Sequence, residues 1–326
     1  MIDKKIKNFT EPIKEELKIF QKQFSLSMKS RVGLVDLVAK YILRQKGKKI
    51  RPTLVLLSAK TVGEINESTY RAAILVELLH TATLIHDDVV DSAETRRGLL
   101  SINSVWKNKI AVLMGDYLLS RGLLLSVDNN DFDFLKVITN TVKRMSEGEL
   151  LQIQKTRKLN NDEETYFKII SDKTASLLST CTQVGALSVT QDQKVIEDFR
   201  NFGENLGIAF QIKDDILDFD GTSSIIGKPI GADLKEKKLT LPLIYAFQKA
   251  SPSEVRHIKR LLKNELKSSE FKEIFSFIKS YNGLEYSISK AKEYASLALK
   301  NLESYSDSES KRALIDLVTF IIERKN

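Results

Sequence analysis

"RAAILVELLHTATLIHDD", residues 71–88, decides the fold. The run is too long for a β-strand, rich in Ala and Leu, and apolar over nearly every face of a helix. A helix of that kind is buried on all sides, as in the middle of a bundle. Yet it runs straight into Asp87, Asp88 and Asp91, and "VVDSAETRRG" (89–98) then adds Arg96 and Arg97, so that residues 84–98 set three acids against two arginines inside about four helical turns. A buried helix ending in a knot of like charges needs a reason.

Outward from this stretch the patterns stay helical. Leu17, Phe20 and Phe24 recur at helical spacing, and so do the apolar residues of 117–127, 164–187 and 196–219. In 285–302, Ala295, Ala298 and Leu299 share a face. No hairpin signal with flanking alternation is present. The clearest loops are "VDNNDFD" (127–133), "DGTSSIIGKPIGAD" (220–233) and "SDSES" (306–310). None reads as a domain linker, and no short-period repeat is found. The expectation is an all-α bundle of long helices in a single domain over 1–326.

Composition narrows the class. The chain has 326 residues, 42% apolar and 29% charged, with only 14 Gly and 5 Pro, as expected of long uninterrupted elements in a globular protein. Its one cysteine, Cys181, excludes a disulfide frame and a zinc cluster and reads as a small buried hydrophobe. A net charge of +8 suits anionic substrates or an acidic membrane surface. The basic residues are scattered, which argues against nucleic acid. The first twenty residues lack the apolar core of a signal peptide. No run reaches the ~18 apolar residues of a membrane span. A cytoplasmic protein is expected.

Asp87 and Asp91 are four apart and stack on one helix face, where like charges cost a few tenths of a kcal/mol exposed and far more buried. A cation removes both costs, and an all-oxygen ligand set points to Mg²⁺ rather than zinc. "QIKDDILDFD" (211–220) repeats the pattern with Asp214, Asp215 and Asp218 among Ile212, Ile216, Leu217 and Phe219. Two such helices facing each other across a cavity could hold several ions. Mg²⁺ shares its shell with phosphate oxygens, so a di- or triphosphate is the expected third party. Arg96, Arg97, Lys48, Arg51, Lys173, Thr174, Lys228 and Lys238 supply cations and a hydroxyl enough for two diphosphates. There is no P-loop and no Ser-His-Asp signature. Metal ions, carboxylates and cations suit departure of a diphosphate. The apolar helices around both knots would shelter the carbocation left behind.

These residues resemble the trans-isoprenyl diphosphate synthases of the polyprenyl synthetase type, nearest to long-chain members such as octaprenyl diphosphate synthases. "LLHTATLIHDDVVDSAETRRG" (78–98), "GDYLL" (115–119), "KTASL" (173–177), "FQIKDDILDF" (210–219) and "GKPIGADLKEKKLTLPLIYA" (227–246) occur in the family's order. The resemblance implies long antiparallel helices around a deep central cavity, and a homodimer. It implies head-to-tail condensation of isopentenyl diphosphate with geranyl, farnesyl or geranylgeranyl diphosphate. By motif, Asp87, Asp91 and Asp214 would hold three Mg²⁺ ions, with Asp88, Asp215 and Asp218 in support. Arg96, Lys173, Thr174, Gln211, Lys228 and Lys238 would bind the allylic diphosphate. Lys48, Arg51, His80 and Arg97, with Gly47 in the same loop, would bind isopentenyl diphosphate. Ionisation, condensation and elimination would follow, the proton leaving to the released diphosphate, since no side chain is an obvious general base. Asp87, Asp91, Asp214, Lys173 and Lys238 would carry catalysis, and release of the product would bring contact with a membrane surface. The chain departs from the family at Lys46 and Lys237, where glycine is usual, and at Lys49.

Product length is expected to be set upstream of Asp87. An isoprene unit is roughly one helical turn long, about 5 Å. Ala82 and Thr83, five and four residues before Asp87, are small, and "DDVVD" carries no insertion, so growth should continue past C15. Leu79 and Val76 come next, and 115–127 could supply the floor. The expected product is C30 to C40, with C20 as the alternative. A terpene synthase is disfavoured by "DDILD" and "GKKIRP", and a non-catalytic synthase subunit by the presence of both acidic knots.

Overall fold

The computed structural model describes residues 9–45, 47, 49–96, 98–219, 231–264 and 266–324. It is helical nearly throughout, and among the described residues the only strands are a two-residue pair. By contacts the chain divides into two compact units. One comprises Met1–Thr139, Thr180–Phe199 and Tyr305–Leu314; the other comprises Asn140–Ser179, Arg200–Ser304 and Ile315–Asn326.

The first unit contains α1 (Lys14–Ser27), α2 (Gly33–Arg44), α3 (Ile50–Val62), α4 (Glu67–Val90) and α5 (Ile102–Asp128). A capping box starts α4: the Asn66 side chain accepts from the Thr69 amide at 3.2 Å, and the Thr69 hydroxyl accepts from the Asn66 amide. Apolar residues around its whole girth let α4 be buried against α1, α3 and α5. In α3 every side chain from Pro52 to Ala59 is buried, so the expectation of helices covered on all sides holds. Cys181 is buried here as well, and burial pushes its thiol up to about 12, as befits a core residue and not a nucleophile.

Two details depart from the sequence reading. First, α4 stops at Val90, and Asp91 is its cap. The chain then turns through a short antiparallel hairpin in which Thr95 pairs with Leu100 and Arg96 with Leu99. Gly98 sits at φ +78 in that turn, a conformation glycine adopts without strain. With only two residues per strand, no alternating pattern could have announced it. Second, α5 is long and apolar enough, by length and composition alone, to cross a membrane, contrary to the expectation that no run qualifies. One stripe of it, Ala111, Met114, Gly115, Leu118 and Gly122, is buried, while Val112, Leu113, Leu124 and Val127 are exposed.

The second unit contains most of α6 (Phe132–Lys158), α7 (Glu163–Ile170), a π-helical segment (Ser171–Ala175), the start of α8 (Ser176–Leu187) and most of α9 (Gln193–Leu217). It continues through α10 (Ala232–Lys235), α11 (Leu241–Lys249), α12 (Pro252–Lys263), α13 (Ser268–Ser280) and α14 (Gly283–Lys300), and takes in most of α15 (Glu309–Glu323). Its core joins Tyr166 and Ile170 to Ile208, Ile212 and Ile216 of α9, and to Leu241, Leu243 and Ile244 of α11. A second capping box, between Ser251 and Glu254, starts α12 with Pro252 in its first turn.

Candidate active site

In the first unit the acidic motif splits by exposure. Asp87 and Asp91 are exposed, and Asp88 is buried. The hairpin brings Arg96 back onto Asp88, with the guanidinium Nε at 2.8 Å from the carboxylate. Removing one partner of such a buried pair is strongly destabilising. Asp88 therefore orients Arg96.

Asp88 and Arg96 line a cavity of about 300 Å³ together with Gly47, Lys49, Glu77 and Thr81. Arg51 and His80 do not line it. Lys48 and Arg97 lie outside the described residues. Lys49, seen in the sequence only as a departure, shares the cavity; partial burial lowers its ammonium and Glu77 opposes that. Val76, Leu79 and Ala82 are buried, and the Thr83 hydroxyl donates to the His80 carbonyl at 2.9 Å.

His86 locks α4 to α5 one residue before Asp87. Its Nε2 lies 3.2 Å from the Val112 carbonyl and 3.4 Å from the Asp116 carboxylate. The ring fits because residue 115 is glycine: a Cβ there would stand 2.2 Å from Nε2. Gly115→Ala should displace the imidazole and cost about 1–3 kcal/mol, read in a urea titration, with a fall in turnover as Asp87 shifts.

The second unit repeats the division. Asp214 and Asp218 are partly exposed and Asp215 is buried. The Tyr166 hydroxyl donates to Asp215 at 2.7 Å and the Gln211 amide at 2.8 Å. Burial pushes the Asp215 carboxyl above the usual range, and Asp233 and Asp214 add repulsion against those two hydrogen bonds. Asp218 accepts from the Asp233 amide at 3.1 Å, tying the end of α9 to α10. Asp214 is paired with Arg324, whose guanidinium also donates to the Phe210 carbonyl and lies 4.2 Å from the centre of the Phe210 ring.

A cavity of about 110 Å³ collects Lys173, Thr174, Gln211, Asp215 and Lys238, five of the predicted residues, with Gln152, Tyr166 and Asp233. Lys228 lies outside the described residues. Lys173 pairs with Glu149 at 2.5 Å, and the Thr174 hydroxyl donates to Gln211 at 3.0 Å. Burial works against the charge of Lys238, but Glu236, Asp233 and Glu149 outweigh it and hold its ammonium above the usual range. Two lysines, each paired with a carboxylate, thus line one cavity, as a polyanion site requires.

Lys173 and Thr174 sit in the π segment. The Ser176 amide reaches back five residues to the Ser171 carbonyl, and the Asp172 carbonyl that this frees accepts from the Ser176 hydroxyl at 2.6 Å. Such a bulge rotates the residues within it away from ordinary helix positions and is frequent at functional sites.

Among the described residues no three of His, Cys, Asp and Glu converge on one point as a metal cage. Mg²⁺ is commonly held by one or two carboxylates and completes its shell with water and substrate phosphate. The sequence reading missed Tyr166, Glu149, Asp233 and Arg324. Only Asp233, in the "GAD" of 231–233, follows a stretch already marked as functional.

Residues 33–278 match the polyprenyl synthetase family. The chain is 35% identical over 314 residues to an all-trans-nonaprenyl-diphosphate synthase (geranyl-diphosphate specific) of Rhodobacter capsulatus, covering 96% of each. It superposes with a TM-score of 0.92 on the crystal structure of a decaprenyl diphosphate synthase from Rhodobacter capsulatus, at 32% identity over 98% of this chain and 99% of that one. A polyprenyl synthase from Caulobacter crescentus, complexed with calcium and isoprenyl diphosphate, gives a TM-score of 0.89 at 31% identity over 98% of each chain.

Proposed function

Because the chain belongs to the polyprenyl synthetase family and is a prenyltransferase, we propose that it extends an allylic diphosphate to a trans-polyprenyl diphosphate of about C30 to C40, one helical turn of wall per unit added. The reaction is head-to-tail condensation of isopentenyl diphosphate with an allylic diphosphate. The observation that carries the proposal is the second unit's cavity, where Lys173, Thr174, Gln211 and Lys238 meet beside Asp215.

The donor set fits the divalent metal on which the family depends: every candidate ligand is a carboxylate oxygen. Asp87 and Asp91 of the first unit would bind Mg²⁺, and Asp214 of the second unit would do so with Asp218 in support. Bound metal draws charge from the leaving diphosphate and so eases ionisation of the allylic carbon–oxygen bond. The chain's own groups do the rest. Lys173 and Lys238 bind the phosphate oxygens, and the Thr174 hydroxyl and Gln211 orient them. Asp88 and Asp215, buried and hydrogen-bonded, hold Arg96 and Gln211 in place. Neighbouring apolar residues such as Ile170 exclude water.

The proposal extends to assembly. Val112, Leu113, Leu124 and Val127 of α5 and Leu34 and Leu37 of α2 are exposed apolar residues, a surface suited to a second copy of the chain. Sedimentation would find a dimer, and Leu113→Glu would shift it toward monomer.

The reaction takes two diphosphates, and kinetics separates them. Arg96→Ala is expected to raise KM mainly for the allylic substrate and Arg97→Ala mainly for isopentenyl diphosphate. Equal effects of each variant on both substrates would refute that division.

A further inference from the structure

The cations of the second unit's cavity lie on a backbone irregularity, and something must hold that irregularity in one state. A π turn gives up ordinary helical bonding, and a single-residue slip would return 171–175 to α-helix with Lys173 and Thr174 rotated about 100° per residue slipped. The restraint comes from a group the reaction does not use. Arg144 of α6 donates from Nε to Asp172 at 2.8 Å, from Nη2 to the Ser171 hydroxyl at 2.8 Å, and to Glu204 of α9 at 2.7 and 3.2 Å. The Ser171 hydroxyl donates onward to Glu204, and Lys168 completes the balance by donating to Asp172, each at 2.5 Å. Two cations meet two carboxylates, and Asp172 is buried.

The same two helices grip both ends of the turn. On α6, Arg144, Gly148 and Gln152 fall one turn apart on one face. Arg144 takes Ser171 and Asp172, a Cβ on Gly148 would stand 3.0 Å from Asp172 Cβ, and Gln152 lies 3.4 Å from the Lys173 amine. On α9, Glu204, Gly207 and Gln211 share a face. Glu204 takes Ser171, a Cβ on Gly207 would stand 2.4 Å from Ala175 Cα, and Gln211 takes Thr174. The planar fork of one arginine thus ties α6, the first two residues of the turn and α9 together.

We infer that Arg144, Asp172 and Glu204 are positioning residues for the allylic diphosphate subsite: their ion-pair network fixes the π turn that aims Lys173 and Thr174 into the cavity. The inference rests on the reading of those two residues as diphosphate ligands. It explains why a side chain outside the cavity carries four hydrogen bonds, and why Asp172 points away from its neighbour Lys173. Arginine suits the task, since lysine cannot reach three partners in one plane.

The test compares the full-length wild type with Arg144→Met, Arg144→Lys and Lys173→Ala. It measures farnesyl diphosphate affinity with Mg²⁺ by calorimetry, KM for isopentenyl diphosphate, and the melting temperature. Arg144→Met should weaken farnesyl diphosphate about a hundredfold and Arg144→Lys about tenfold, the scale of losing one or two hydrogen bonds to a charged group. KM for isopentenyl diphosphate should stay unchanged in both. If Arg144→Met does not fold, Arg144→Lys decides alone. Wild-type affinity in a folded Arg144 variant, with Lys173→Ala weakened, would overturn the positioning role and leave the diphosphate reading standing. Wild-type affinity in Lys173→Ala would overturn both.

Discussion

Asp214→Ala lowers turnover by about a hundred- to a thousandfold, and Asp87→Ala does the same, while both proteins stay folded. The size follows from the chemistry: losing one charge-stabilising partner at a developing leaving group typically costs 10²–10³ in kcat, about 3–4 kcal/mol. The survival of the fold follows from exposure. Asp87 is exposed, and the Asp214 side chain is 40% exposed while its partner Arg324 keeps the Phe210 carbonyl and ring as further contacts. The buried partners behave differently. Asp215→Ala removes the acceptor of the Tyr166 and Gln211 hydrogen bonds and should cost stability as well as rate, about 1–3 kcal/mol for the buried polar groups left behind. Turnover at saturating Mg²⁺, set beside a melting curve, separates the two kinds of aspartate. Wild-type turnover in Asp87→Ala or Asp214→Ala would remove them from the reaction.

Ala82→Phe shortens the product toward C15 or C20 and leaves the first condensation intact. Leu75 and Leu78 contact α5 near residue 122, and His86 contacts it at 112–116. Helical spacing places Ala82 on that same stripe, between Leu78 and His86. The stripe is a turn and a half below Asp87, about 7.5 Å along the axis. A phenyl ring there obstructs a chain growing between α4 and α5 and leaves the metal and diphosphate groups above it untouched. If the seam is instead filled by packing alone, the ring costs about 1–3 kcal/mol by overpacking and product length stays as it was. A chromatogram of dephosphorylated products beside a melting curve tells these apart. A destabilised variant with unchanged products would move the tunnel elsewhere.

The helices and both acidic motifs were legible in the sequence because each rests on periodicity: apolar residues around α3 and α4, and carboxylates four apart in two copies. The clustering of Lys173, Thr174, Gln211, Asp215 and Lys238 followed from motif resemblance and reappears as the lining of one cavity. What escaped was hydrogen-bond register. "SDKTASLL" has the composition of ordinary helix, and nothing in it signals that the Ser176 amide reaches Ser171 instead of Asp172. "SAETRRG" reads as polar chain leaving a helix, yet the hairpin folds Arg96 back on Asp88. Arg144 with Glu204, and Tyr166 with Asp215, join residues 60 and 49 apart, and spacing within one element cannot report such pairs. Lys173, Thr174, Gln211, Asp215 and Lys238 line one cavity, Arg51 and His80 do not line the other, and the groups that hold these side chains in place had no signal in the sequence.

The central claim, that this site joins isopentenyl units head to tail and continues well past C15, is tested most directly by incubating the pure protein with Mg²⁺, labelled isopentenyl diphosphate and farnesyl diphosphate, and sizing the dephosphorylated products by chromatography. A ladder ending near C30 to C40 is expected, and it disappears when the metal is chelated. No incorporation of label, or a single product that consumes farnesyl diphosphate without isopentenyl diphosphate, would contradict it.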